Sequence, residues 1–240
     1  RDYKVTGVQT CALPISRKNK YVIYDKPYQL NIWGIRSPQT RSGQFDDHFH
    51  VFYKDGNGRW EYHIFRCTTD PGTFWLHDPM RPEGTAILAQ GQYIDAYQIG
   101  IHYTYAALVQ RKPVRVIRDY NRDSVLDFYN GNYHTGLFGI NIHRAMMYGK
   151  TPYIEKFSAG CQVFENASDF YHFMQMAERH RSLYGNRFSY TLIDERAIKR
   201  AKLRRTFYGA LAVGASTATL LYLLTSSENQ ENQNQSTLTN

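Results

Sequence analysis

Two short runs hold residue types, at a spacing, that suit covalent chemistry: Gly139-Ile140-Asn141-Ile142-His143-Arg144 and Phe157-Ser158-Ala159-Gly160-Cys161-Gln162. A cysteine directly after a glycine fits a tight turn, with its own N–H exposed beside its sulfur. Such a turn suits acyl transfer, because the N–H groups of Gly160 and Cys161 can hold the oxyanion of a tetrahedral intermediate. The thiolate is the attacking species, so the thiol needs a base or a cationic neighbour. His143 ends an alternating run, with Phe138, Ile140 and Ile142 set against Gly139, Asn141 and His143. That pattern predicts a strand from which the imidazole projects toward the turn. It would take the thiol proton and later protonate a leaving amine. On residue types alone both readings stand: His143 is one of nine histidines, and a lone cysteine is more often a small buried hydrophobe.

A family resemblance separates them. His143 followed by Ser158-Ala159-Gly160-Cys161 resembles the signature of the L,D-transpeptidase catalytic domain: a hydrophobic strand ending in His, a variable loop, then Ser-x-Gly-Cys. Thr68-Thr69-Asp70-Pro71-Gly72-Thr73-Phe74 loosely resembles the family's Thr-Pro-x-Gly-x-Phe element. Ile-Asn-Ile-His with Ser-Ala-Gly-Cys-Gln is similar to a divergent branch found in phage and related bacterial genomes. The resemblance covers roughly residues 60–165.

It implies a mainly β, sandwich-like domain with a flanking helix, acting on peptidoglycan stem tetrapeptides. Cys161 would attack the carbonyl linking stem residues three and four, and D-Ala would leave. An amine would resolve the thioacyl-enzyme to a 3→3 cross-link, or water would resolve it to a tripeptide. By the same resemblance His143 is the base, Gly160 and Cys161 supply the oxyanion hole, and Ser158 holds the loop or bonds near the sulfur. Ala159, Gln162 and Arg144 flank these residues as candidate substrate contacts. No metal or cofactor is implied. Two departures bear on substrate choice: Ala159 stands where the family usually has His, and Val163 where it usually has Arg.

The secondary structure that carries these residues is legible in outline. Residues 21–33 read as strands broken by Pro27. Residues 45–67 read as a hairpin about Asp55-Gly-Asn-Gly58, where Gly and Asn accept positive φ cheaply. Shorter strands are expected at 86–102, 106–110 and 113–118. One helix is clear: Phe170, Phe173, Met174 and Ala177 share a face, Asn166 or Ser168 caps the start and Gly185 the end. Residues 187–193 alternate as a half-buried strand does.

Other clusters read as bland. Asp46, Asp47, His48 and His50 fit a polar strand edge better than a metal site. Asp119 to Asp123 opens like a calcium loop but lacks the later glycine and bidentate Glu, which makes it a turn. His102 and His134 read as structural, and Cys67 as core.

The chain has 29 basic and 21 acidic residues. Residues 1–16 resemble an in-frame translation of a sequencing adapter, so they and Cys11 are set apart from the fold. Without Arg1, Asp2 and Lys4 the balance is 27 against 20, and six of the basic residues lie between Arg196 and Arg205. The remaining domain is nearly neutral, which argues against nucleic acid as a partner. Cys67 and Cys161 are the cysteines left; a disulfide between them would disable the nucleophile, and we expect none.

The implied organisation is a catalytic domain over 17–195, a basic juxtamembrane segment over 196–205, a transmembrane helix over 206–225 and a disordered polar tail over 226–240. The uncharged run at 206–225 has the roughly 20 residues that a spanning helix needs. Basic residues before such a helix favour the cytoplasmic side. A membrane-anchored enzyme would therefore either face murein through an export signal that precedes this sequence, or wait inside as a phage lysis enzyme. The functional alternatives are a Cys-dependent murein peptidase and a non-catalytic, membrane-tethered wall-binding module.

Overall fold

A computed structural model describes residues 13–196. The chain divides after Asp194 into two compact units, and the first holds all the strands among the described residues. The expected basic segment beyond Arg196, the membrane helix at 206–225 and the tail lie outside the described residues, as do residues 1–12. Among the described residues no helix is long and apolar enough to cross a membrane.

A short helix, α1 (Leu13–Asn19), spans the boundary expected at residue 16, and Ser16 is buried. The strands are β1 (Asn31–Arg36), β2 (Asp47–Lys54), β3 (Trp60–Thr68), β4 (Thr85–Leu88), β5 (Gly91–His102), β6 (Tyr105–Gln110), β7 (Val114–Asp119), β8 (Tyr133–Gly136), β9 (Ile142–Arg144), β10 (Gln162–Phe164) and β11 (Phe188–Asp194). Two further helices are α2 (Thr73–His77) and α3 (Ala167–Tyr184).

The domain is mainly β, as expected. Where a sandwich is expected, the larger sheet closes on itself in the order β1-β11-β5-β6-β9-β10-β3-β2, and β4-β7-β8 forms a separate three-stranded sheet. Closure depends on the last strand: β11 inserts between β1, to which it runs parallel, and β5, to which it runs antiparallel. Closing a sheet removes its unpaired edges.

The hairpin is as read from its turn: β2 and β3 pair from Asp47↔Cys67 to Lys54↔Trp60, and Asp55 accepts the N–H groups of Asn57 and Arg59. The first strand starts later than its composition predicts. Asn31 ties both the N–H and the carbonyl of Tyr24, so the segment before it turns instead of pairing. That segment also explains β11, which is buried along its whole length instead of half-buried. Gln92 bonds both polar groups of the Val22 backbone, and Tyr24 Oη meets Ser189 Oγ on the outer face of β11.

Helix α3 obeys its pattern. Asn166 caps Ser168 N–H, Gly185 follows its end, and Phe170, Phe173, Met174 and Ala177 are buried. Phe173 and Phe170 pack against Phe164 of β10, with ring centroids 5.1 and 5.6 Å apart. The helix therefore presses on the strand that begins directly after Cys161. Phe173→Ala should cost about 3–5 kcal/mol of unfolding free energy, the usual range for emptying a buried aromatic site; chemical denaturation of variant and parent checks this.

Candidate functional site

Strands β9 and β10 run side by side and parallel, with Ile142 opposite Gln162, His143 opposite Val163 and Arg144 opposite Phe164. This pairing brings the two sequence runs together. The run before His143 is strand only from Ile142 onward. Gly139 has φ +72°, a left-handed conformation that interrupts extended chain, so Phe138 to Asn141 form an irregular segment. The irregular stretch wraps the sulfur: Cys161 Sγ donates to Gly139 O and accepts from Asn141 N–H, each at 3.4 Å.

The turn carrying Cys161 has one permitted residue at its apex. Gly160 has φ +116°, and a Cβ there would lie 2.2 Å from the carbonyl oxygen of Ala86. Ser158 is fully buried and clamps the turn: its hydroxyl donates to Cys161 O at 2.8 Å and accepts from Gly160 N–H at 3.2 Å. Gly160 N–H is thus engaged by Ser158, which leaves the Cys161 N–H as the donor best placed to meet an oxyanion. Ala159, half-buried between them, completes the turn.

Gln162 is fully buried rather than facing a substrate. It donates to Thr69 O and Gly160 O and accepts from Tyr190 Oη at 2.8 Å. Its neighbours belong to the Thr68–Phe74 segment, which lies against the loop: Gly72 N–H donates to Ser158 O at 2.8 Å, and a Cβ on Gly72 would strike the carbonyl oxygen of Glu155. The segment is anchored by Arg36, 1% exposed, which pairs with Asp70 at 2.8 Å and donates to Thr69 O. Asp47, read from sequence as a polar edge, is buried and accepts Ser37 N–H, Thr69 N–H and Thr69 Oγ. Among the described residues no group of three or more His, Cys, Asp or Glu is placed to hold a metal.

His143 is 4% exposed. Its Nδ1 lies 2.8 Å from Arg144 O. A carbonyl only accepts, so Nδ1 carries the proton and Nε2 keeps the lone pair of a base. Tyr105 Oη approaches both Nδ1 and Arg144 O, at 3.4 and 3.3 Å. His102, read from sequence as structural, stacks on His143 with centroids 4.1 Å apart and accepts at Nδ1 from Asn141 Nδ2. Asn141 is a hub that its sequence context does not single out: its amide oxygen accepts Gln110 N–H and its carbonyl accepts Gln162 N–H. Tyr105 is equally unmarked, since an aromatic among 20 tyrosines carries no local signal. His134 lies on β8, in the separate sheet, bonded to Asn132. Cys67 and Cys161 are both free thiols.

Cys161 and His143 are both biased toward their neutral forms. Burial pushes the Cys161 thiol up to about 11, against a smaller downward effect of the Asn141 N–H. Burial, and after it the neighbouring His102, pushes His143 down to about 3. A thiol and an imidazole that both favour their neutral forms would need proton transfer to accompany any attack rather than precede it.

No family model matches the chain, nor does any curated protein or solved structure.

Gly160→Ala should displace Cys161 and lower its alkylation rate by about tenfold or more while the domain stays folded, since a left-handed φ and a backbone clash both oppose the new Cβ; iodoacetamide labelling followed by mass spectrometry checks it. Stability should also fall on acidification. His48, His50, His102, His143 and His180 all bind protons more weakly folded than unfolded, chiefly through burial, with His50 at about 4. Protons therefore favour the unfolded chain between the ordinary value of 6.5 and about 3. Asp47, Asp119 and Asp169, raised by burial, oppose this in part. His50 and His143 are lowered about as far as Asp47 and Asp119 are raised, so the three further lowered imidazoles decide the sign, and the melting temperature should fall modestly from pH 6.5 to pH 4 in calorimetric scans.

Proposed function

We propose that the chain is a cysteine acyltransferase of the L,D-transpeptidase type that acts on peptidoglycan stem tetrapeptides. The observation that carries this reading is the parallel pairing of β9 with β10. It sets the imidazole strand beside the strand that leaves the Cys161 turn, with Sγ held against Gly139 and Asn141. The glycine-only apex at Gly160 and the fixed tautomer of His143 support it further.

The proposed reaction uses these atoms. A peptide carbonyl settles over Sγ; the Sγ–C bond forms as His143 Nε2 takes the thiol proton. The oxyanion is met by the Cys161 N–H. Collapse breaks the C–N bond, and the imidazolium returns its proton to the departing amine of D-Ala. The thioacyl-enzyme is then attacked by an acceptor amine, giving a new amide, or by water, giving a carboxylate. His143 removes the acceptor proton in either case, and Cys161 leaves as thiol.

Because both groups favour their neutral forms, closure of the site by substrate is part of activation. Excluding water strengthens the pull of the developing charge pair. Membrane anchoring through residues 206–225 belongs to the same proposal, and would hold the site near the wall or near the inner face of the membrane.

Incubating the protein with tetrapeptide muropeptides and a D-amino acid should yield terminally exchanged products by mass spectrometry. Cys161→Ala should abolish them, and His143→Ala should reduce them by about a hundredfold or more, the scale of general-base catalysis. Cys161-dependent trimming without exchange would make the enzyme a murein peptidase. No acyl-enzyme and no turnover would leave the wall-binding module as the better account.

A further inference from the structure

Arg144 sits directly after the base, and its guanidinium is nearly sealed from solvent. The residue is 6% exposed. Its guanidinium carbon lies 3.8 Å from the centre of the Tyr105 ring and 5.8 Å from that of Tyr171, at the start of α3. Its Nε is buried with no hydrogen-bond partner. Among the described residues no Asp or Glu forms an ion pair with it, although arginines elsewhere in the domain, Arg36, Arg59, Arg66 and Arg181, each have one.

A buried cation with no anion is unfavourable, and proteins pair such charges or bind a counter-charge. Aromatic faces attract the guanidinium but supply no hydrogen-bond acceptor in its plane. Arg36 in the same domain illustrates the ordinary solution, with Asp70 and the Thr69 carbonyl against it. Arg144 thus presents a guanidinium whose buried Nε has no acceptor. The planar geometry of a guanidinium matches a carboxylate.

Its position links it to the reacting groups. The carbonyl of Arg144 receives His143 Nδ1–H and faces Tyr105 Oη. The Arg144 charge reaches both stacked imidazoles, His102 and His143, and helps lower them. An anion placed against Arg144 would offset that charge, a smaller influence on His143 than burial or His102.

We propose that Arg144 is the subsite for a carboxylate of the peptide substrate, so that a substrate bearing a free carboxylate docks against its buried guanidinium. This rests on the acyltransferase reading for the identity of the peptide; the anion subsite itself does not require turnover.

The test separates the two. Cys161→Ala protein is titrated calorimetrically with an N-acetylated stem tetrapeptide ending in a free carboxylate, and with the same peptide ending in a carboxamide. The carboxylate form should bind about ten- to a hundredfold more tightly, the worth of a charge-assisted hydrogen bond. Arg144→Met should erase the difference and Arg144→Lys should keep part of it. The Met variant should melt no lower than the parent, since the charge removed is uncompensated; a merely structural arginine would instead lower the melting temperature and leave the preference intact. In parallel, the Arg144 Nε–H resonance is followed with N-acetyl-D-alanine and with its amide. A shift with the acid alone, without binding of either tetrapeptide, would retain the carboxylate subsite and overturn the stem-peptide reading. Equal affinities for the two tetrapeptides with an unmoved resonance would overturn the subsite.

Discussion

The candidate site depends on the compensation of one buried charge. Arg36 is sealed inside the domain, and a cation there is tolerated only with its hydrogen bonds and counter-charge in place. Asp70 and the Thr69 carbonyl provide them, and Asp47 holds Thr69 by its N–H and hydroxyl. This fixes the path of residues 68–72. From Thr69 O the chain of contacts passes to Gln162, and from Gly72 N–H to Ser158 O. Ser158 and Gln162 then hold both sides of the Cys161 turn. A polar network of this kind is unforgiving: removing one member strands the rest without partners. The same property holds a strained turn in a single conformation.

Arg36 and Arg144, two of the three buried arginines among the described residues, invert each other's logic. Arg36 is matched by carboxylates and serves as an anchor. Arg144 is matched only by aromatic faces, and it lies beside the imidazole that would act as base. One charge is satisfied within the fold and organises it; the other has no counter-charge among the described residues. Burial biases both Cys161 and His143 toward their neutral forms, and a thiol held so is less prone to oxidation than a thiolate.

Barrel closure gives the site its setting. Parallel strands need a connection long enough to cross over, and the loop from Ala145 to Cys161 makes that crossing between β9 and β10. Helix α3 then covers β10 with Phe170 and Phe173, and β11 closes the sheet against β1. Tyr190 on β11 reaches Gln162 across Gly34 of the neighbouring β1, which lacks a side chain; a Cβ there would overlap the Tyr190 hydroxyl. The last strand thus both seals the barrel and supports the reactive turn.

The features legible in the residues alone are local ones. The Asp55–Gly58 turn, the cap and apolar face of α3, and the Gly160-Cys161 apex depend on propensity and on contacts a few residues apart. The pairing of a Ser-x-Gly-Cys turn with a histidine-ended run is visible there as a pattern, though not as a contact. Long-range packing decides the rest. It turns Gln162 from a candidate substrate contact into a buried support, engages Gly160 N–H with Ser158, draws Asp47 into the core and sets His102 against His143. It also closes the sheet where a sandwich is expected, and buries the outer face of β11 beneath a residue 165 positions earlier. The physical reason is common to all of these. Burial, charge compensation and hydrogen-bond satisfaction depend on which distant segments meet, and residue spacing carries no record of that.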